Sequence, residues 1–266
     1  MSAAASSSPS FEKQVHQPNS HELQKMHTIS SLLPAHGGEF QPAPHANIAQ
    51  QKKIANPAPL GLGAFALTTF VLSCVNLKVL GVHEPNLVVA LALGYGGLVQ
   101  LLAGMWEMAV GNTFGATALS SYGGFWISFG VVLTPTFGIV DAYTDKETGD
   151  STFNEVFALY LWAWFIFTSL CMILTLRSTV AFCGLFIVLD ATFLCLALSE
   201  QYAVSAAEAS KSLQQAGGVF GILAAFFAWY NMFSGMVDAT NFWCTMPMVS
   251  FPWSANRKQR RAGECV

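Results

Sequence analysis

The chain is short of charge. Only 10% of its 266 residues are Asp, Glu, Lys or Arg, against about a quarter in ordinary soluble domains, so most of it cannot be meeting water. A formal net charge of −3 excludes a general polyanion-binding surface, and no stretch interleaves basic and aromatic residues as nucleic-acid binders do. Histidine is scarce where chemistry would need it. Five of the six (His16, His21, His27, His36 and His45) precede position 50, leaving His83 alone beyond them. That excludes a His-based triad or metal cluster within the apolar part. The six cysteines (Cys74, Cys171, Cys183, Cys195, Cys244 and Cys265) include no C-x-x-C pair, and four lie inside apolar runs. They read as small buried hydrophobes rather than a disulfide framework or metal site. No N-x-S/T sequon, G-x-S-x-G, Walker A or dinucleotide fingerprint occurs. The expectation is therefore no enzyme, no cofactor, no metal and no nucleotide-driven pump.

What is present is apolar surface: 53% of the residues are hydrophobic. Residues 1–55, rich in Ser, Ala, Gln, His and Pro, read as a disordered tail that cannot bury enough apolar surface to offset its ordering cost. Six apolar runs follow: Leu60–Leu77, Leu87–Met105, Phe114–Val140, Val156–Leu176, Ser178–Ser199 and Ala216–Val237. A bilayer core of about 30 Å needs about twenty helical residues, and each run is near or above that. The expected fold is an all-α integral membrane protein, a six-transmembrane-helix bundle over residues 56–243, followed by a basic tail over 244–266. The first apolar run is too long for the h-region of a signal peptide. Pro135 inside the third run predicts a kink.

Lys and Arg beside the spans set the orientation. With the N-terminus cytoplasmic, the inside segments hold Lys13, Lys25, Lys52, Lys53, Arg177, Arg257, Lys258, Arg260 and Arg261, and the outside loops hold Lys78, Lys146 and Lys211. Nine against three puts both termini in the cytoplasm. The acidic loop from Asp141 to Glu155 then faces outward or toward a lumen.

The first span is entered through Asn56-Pro57-Ala58-Pro59-Leu60-Gly61-Leu62-Gly63-Ala64-Phe65. Pro57 and Pro59 hold the entering chain extended, and Pro59 suits a first helical turn. The plain reading is a tidy entry to a membrane span. The functional one is a positioned helix N-terminus that can face an anion. Asn112 and Thr113 open the third span in the same way, either capping its free N–H groups or offering donors to a carboxylate. Both helices run from inside to outside, so both N-termini point to the cytoplasmic side, as transporters aim helix ends at substrate carboxylates. Asp190 is the one charge inside a span. It should face the bundle, as a proton-coupling site, as a filter against a second anion, or as a neutral acid bonded to a neighbouring helix. Glu107 and Asp238 sit at span ends, where pairing or solvation is the plainer reading. Gly217-x-x-x-Gly221 and the cluster Gly94, Gly96, Gly97 and Gly104 allow close helix approach.

Two separated motifs carry a resemblance. The Asn56–Phe65 run followed by Thr68 and Thr69, and Gly111-Asn112-Thr113-Phe114-Gly115-Ala116-Thr117 with Ser121-Tyr122-Gly123-Gly124-Phe125-Trp126, together resemble the acetate uptake transporter family. The resemblance implies a plasma-membrane transporter or channel for acetate and similar short monocarboxylates, with or without a proton, and assembly as a homohexamer with a pore in each subunit. It implies a pore-narrowing set formed by Phe65, Tyr122 and Leu189, with Asn56, Pro57, Thr68, Thr69, Asn112 and Thr113 along the path. On spacing alone Phe65, Tyr122 and Leu189 are ordinary core, and Tyr122 could simply satisfy an interhelical hydrogen bond. A ring of apolar side chains would resist hydrated ions while passing a small weak acid. Ammonium or ammonia is the rival cargo, favoured if Asp190 faces the pore. A membrane scaffold or nutrient sensor that moves nothing is the rival from another class.

Overall fold

The structure, a computed structural model, describes residues 54–82, 84–145, 151–238, 240–244 and 246–254. The tail histidines, His83 and the basic stretch Arg257–Arg261 lie outside the described residues. Among those described there is no strand, and six helices are long and apolar enough to cross a membrane. They are α1 (Ala58–Asn76), α2 (Asn86–Ala109), α3 (Thr113–Val132), α4 (Phe153–Thr175), α5 (Val180–Gln201) and α6 (Ala207–Met236).

Local chemistry sets the boundaries. Asn56 Oδ1 accepts the Ala58 N–H at 3.2 Å, and Pro59 sits in the first turn of α1, where its missing N–H costs nothing. A three-residue turn joins α2 to α3, and Gly111 takes φ +84° there, a conformation glycine adopts without strain. Asn112 then caps α3 by accepting the Gly115 N–H at 3.0 Å, while its amide donates to Glu107 Oε2 at 2.6 Å. Glu107 is thus no interfacial group in water. It lies within α2, only 2% exposed, because the helix runs four residues past the apolar run.

Pro135 does not kink the third span; it ends it. With no N–H and a ring that clashes with the carbonyl four residues back, it pushes Thr134 to an extended conformation. α3 stops at Val132, and the Thr134 hydroxyl donates to the Gly130 carbonyl at 2.7 Å. α6 departs in the other direction, starting nine residues before the apolar run. Its first turns carry the Glu208–Lys211 pair at 2.8 Å. At about 1.5 Å per residue its 30 residues exceed a 30 Å hydrocarbon core, so these turns lie outside it.

The helices form a ring in which α1 packs on α2 and α6, α2 on α3, α4 on α5, and α5 on α6. Two kinds of packing close it. α1, α2, α3 and α6 approach through glycine: a Cβ on Gly104 would fall 2.5 Å from the backbone nitrogen of Ser120 in α3, and one on Gly221 would overlap the Ser73 hydroxyl of α1. α3 meets α4 and α5 through rings instead. Phe125 lies 5.2 Å from Trp164 and 5.3 Å from Phe193, and Phe114 lies 5.8 Å from Phe182, centroid to centroid. Of the glycine pair anticipated in α6, Gly217 faces Leu196 of α5, while Gly218 and Gly221 face α1. After α6, the chain returns to the start of α5, where Val180 N–H bonds the Val249 carbonyl at 2.8 Å and Trp253 Nε1 donates to the Leu176 carbonyl at 2.8 Å.

These contacts predict two stability effects, both read as thermal unfolding in detergent. Gly104→Ala should cost about 1–3 kcal/mol by overpacking, whereas Gly94→Ala, whose Cβ would meet nothing within 4 Å, should leave the midpoint nearly unchanged. Asn112→Ala removes a helix cap and strands a buried carboxyl, so a loss of about 1–3 kcal/mol is expected; Glu107→Gln added to it should recover part of that loss.

Candidate functional site

Three side chains named from the resemblance meet inside the bundle. Phe65 of α1 and Tyr122 of α3 stand with ring centroids 6.1 Å apart and planes tilted by 52°. Leu189 of α5 completes the wall of the same internal cavity. All three are buried, and each lies near the midpoint of its helix. The cavity is about 20 Å³, enough for one water molecule. This narrow cavity, the throat, is lined by apolar groups apart from Tyr122 and Gln100.

Tyr122 is fixed from several sides. Its hydroxyl shares a hydrogen bond with Thr168 Oγ1 of α4 at 2.9 Å, and its ring lies 5.6 Å from Phe167, 6.0 Å from Trp164 and 6.4 Å from Phe186. The polar end is drawn toward α4, leaving the apolar body of the ring for the throat. The interhelical hydrogen bond and the place on the cavity wall therefore coexist in one residue.

Among the other lining residues, one carries a side-chain amide. Gln100 of α2 is 0% exposed and lines the cavity, yet neither its amide nitrogen nor its oxygen has a hydrogen-bond partner. It directly follows a π-helical turn, Gly94–Val99. A signal was available: Gln100 is the one side-chain amide within Leu87–Met105, and polar groups inside membrane spans are costly enough to need a reason.

The remaining candidates lie elsewhere. Asn56 and Pro57 stand at the start of α1, Asn112 and Thr113 at the start of α3, and none of them lines the cavity. The two starts do share one end of the bundle. Pro59 lies where a Cβ on Gly235, near the end of α6, would fall, and Gly61 packs on Leu119 of α3. Asn112 is occupied on both sides of its amide. Thr68 donates to the Ala64 carbonyl at 2.9 Å and backs onto Gly96 of the π turn. Thr69 Oγ1 is buried without a partner. Asp190 accepts from the Ser169 hydroxyl of α4, at 2.9 and 3.1 Å to its two oxygens, and lines no part of the cavity. Asp238 is exposed at the end of α6, where the Thr240 hydroxyl and backbone N–H hold its carboxyl below the usual range.

A larger depression of about 440 Å³ opens on the outer surface between α5, α6 and the segment after it. Its walls include Val180, Phe226, Phe227 and Val249, and it shares no residue with the throat. Its one hydroxyl, on Tyr230, donates to the Pro247 carbonyl. Size alone would favour it, but it is an exposed apolar face with no unpaired polar group. The throat is the site the chemistry favours.

The model of the GPR1/FUN34/yaaH family matches residues 36–253. Acetate permease A of Emericella nidulans is 53% identical over 240 residues, covering 90% of this chain and 80% of that protein. Ammonia transport outward protein 2 of Saccharomyces cerevisiae is 47% identical, covering 79% of this chain and 71% of that protein. Among solved structures, the bacterial acetate channel SatP superposes with a TM-score of 0.63 at 28% identity, covering 74% of this chain and 99% of that one. The sequence match, the six spans and the shared architecture lead to one conclusion: this multi-pass membrane protein belongs to the GPR1/FUN34/yaaH family.

Proposed function

We propose that this chain carries acetate and similar short monocarboxylates across the membrane, each protomer through its own throat. The observation that carries this reading is the meeting of Phe65, Tyr122 and Leu189 around one narrow internal cavity. A constriction of that kind resists hydrated ions by dewetting and admits a small organic acid whose apolar end suits its walls. At about 20 Å³ the throat is closed to a carboxylic acid, so these side chains must move for passage. The helix starts at Asn56–Pro57 and Asn112–Thr113 form the approach, where helix N-terminal dipoles favour an anion. Thr68 and Thr69 stand behind the wall on α1. The relatives named for acetate transport support the same cargo, and the chain's role is transport rather than catalysis.

The same reading puts both termini in the cytoplasm and the protein in the plasma membrane as a homohexamer. Charge supports the orientation. In sequence, Lys52, Lys53, Arg177, Arg257, Lys258, Arg260 and Arg261 flank the side of the spans assigned to the cytoplasm, against Lys78, Lys146 and Lys211 on the other. Ammonium or ammonia stays a second reading because one relative is named for ammonia. A cation would want carboxylates or carbonyls in its path, yet Asp190 is bonded to Ser169 away from the cavity. A proton-coupling or filtering role for Asp190 would therefore act through α4 and α5 rather than in the throat.

Purified protein in liposomes should admit labelled acetate faster than empty vesicles at both acid and neutral pH; equal rates would overturn the reading. Phe65→Ala and Tyr122→Ala should each change that rate by severalfold while the assembled mass is kept. Unchanged flux in both would remove the constriction from the mechanism.

A further inference from the structure

We propose that Gln100 receives the permeant's carboxyl group at the throat, and that it receives it as the neutral, protonated acid. The inference rests on the reading that the chain moves small monocarboxylates. Four observations lead to it.

Gln100 is fully buried with both amide atoms unpartnered, a condition that costs a few kcal/mol when nothing pairs with the group. A partner that arrives through the adjoining cavity accounts for an amide left in that state. The rest of the lining offers no competitor. It is apolar apart from Tyr122, whose hydroxyl is already held by Thr168. The backbone has been altered just before this residue: the π turn Gly94–Val99 adds a residue to one helical turn. Such a turn rotates everything after it by roughly 100° relative to an unbroken α-helix, and Gln100 is the first residue beyond it. Gly96 lets this turn sit against Thr68 of α1.

The fourth observation is complementarity. A primary amide presents an N–H donor beside a carbonyl acceptor. A carboxylic acid presents the same two functions in reverse, so the pair closes with two hydrogen bonds. A carboxylate has acceptors only and would set one oxygen against the amide oxygen. No Lys, Arg or His from α1, α2, α3 or α5 lines the cavity to offset an anion's lost hydration. Neither Glu107, two turns further along α2, nor Asp190 lines the cavity: Glu107 is bonded by Asn112 through one oxygen, and Asp190 by Ser169. The proton balance is simple. The acid takes its proton from water on one side, crosses neutral and releases it on the other, so one proton moves with each carboxylate and the protein keeps none.

The test uses full-length protein in liposomes loaded with a pH dye. Acetate is added, the potential is clamped with potassium and valinomycin, and empty vesicles are subtracted. Lumenal acidification should accompany acetate entry one for one and ignore the imposed potential. Well above a carboxyl's pKa of about 4, each unit of acidification should raise the rate roughly tenfold at fixed total acetate. Gln100→Leu should lower flux roughly tenfold or more, the loss of one or two hydrogen bonds, while its melting temperature stays level or rises because an unpaired buried amide is gone. Gln100→Glu should transport at acid pH, where a protonated side chain still offers donor and acceptor, and fail near neutrality. Potential-driven acetate entry without acidification, undiminished flux in Gln100→Leu, or a wild-type pH profile in Gln100→Glu would each overturn this inference alone. Absence of wild-type acetate flux would overturn it together with the transport reading.

Discussion

A hydrocarbon surrounding offers a stray polar group no water, so every such group must find its partner inside the protein. This bundle follows the rule at one point after another. Tyr122 takes Thr168, Asp190 takes Ser169, Glu107 takes Asn112, and Tyr160 takes Ser128. Three of these pairs tie α4 to α3 or α5, where few backbone approaches exist. Gln100, fully buried on the cavity wall with neither amide atom bonded, departs from this pattern, as do single atoms of Thr69, Ser120, Trp126 and Asn231.

The throat lies where two styles of packing meet. On one side, α1, α2, α3 and α6 are drawn together by glycines that let backbone approach side chain or backbone closely. On the other, rings of α3, α4 and α5 fill a wider seam: Phe125 alone contacts Trp164, Tyr160 and Phe193. Interiors packed at crystal-like density resist small deformations. The wall contributed by α1 and α2 consists of Leu62, Phe65 and Gln100. The wall contributed by α3 and α5 is a stack of side chains.

Much of this was legible in the residues, for physical reasons. Membrane-length apolar runs, only one of them interrupted by a charge, can hardly be anything but spans, so all six are legible, most with ends within a few residues. The larger errors came from local chemistry that hydropathy does not register. Pro135 terminated α3 because the residues beyond it had no helix to continue, and Ala207–Gln215 extended α6 because helix propensity persists where hydropathy stops. Phe65, Tyr122 and Leu189 line one cavity, and nothing in their spacing reveals it. Asn112 could be read as a cap, but its second bond, to a buried Glu107, needed the α2–α3 turn to be folded. Gln100 depended on a π turn, and a glycine-rich segment such as Gly94-Tyr95-Gly96-Gly97 does not announce one. A single inserted residue decides which face of α2 carries the amide, and no periodicity argument resolves that.

The account's central claim is that a small carboxylic acid passes through the throat between Phe65, Tyr122 and Leu189, touching Gln100. The most direct check is an experimental structure with bromoacetate, whose bromine is located by anomalous scattering. The account predicts a bromine site inside the bundle, with the carboxyl group within hydrogen-bond distance of the Gln100 amide. Bromine found only on the outer face by Phe226 and Val249, with the throat empty at saturating ligand, would contradict it.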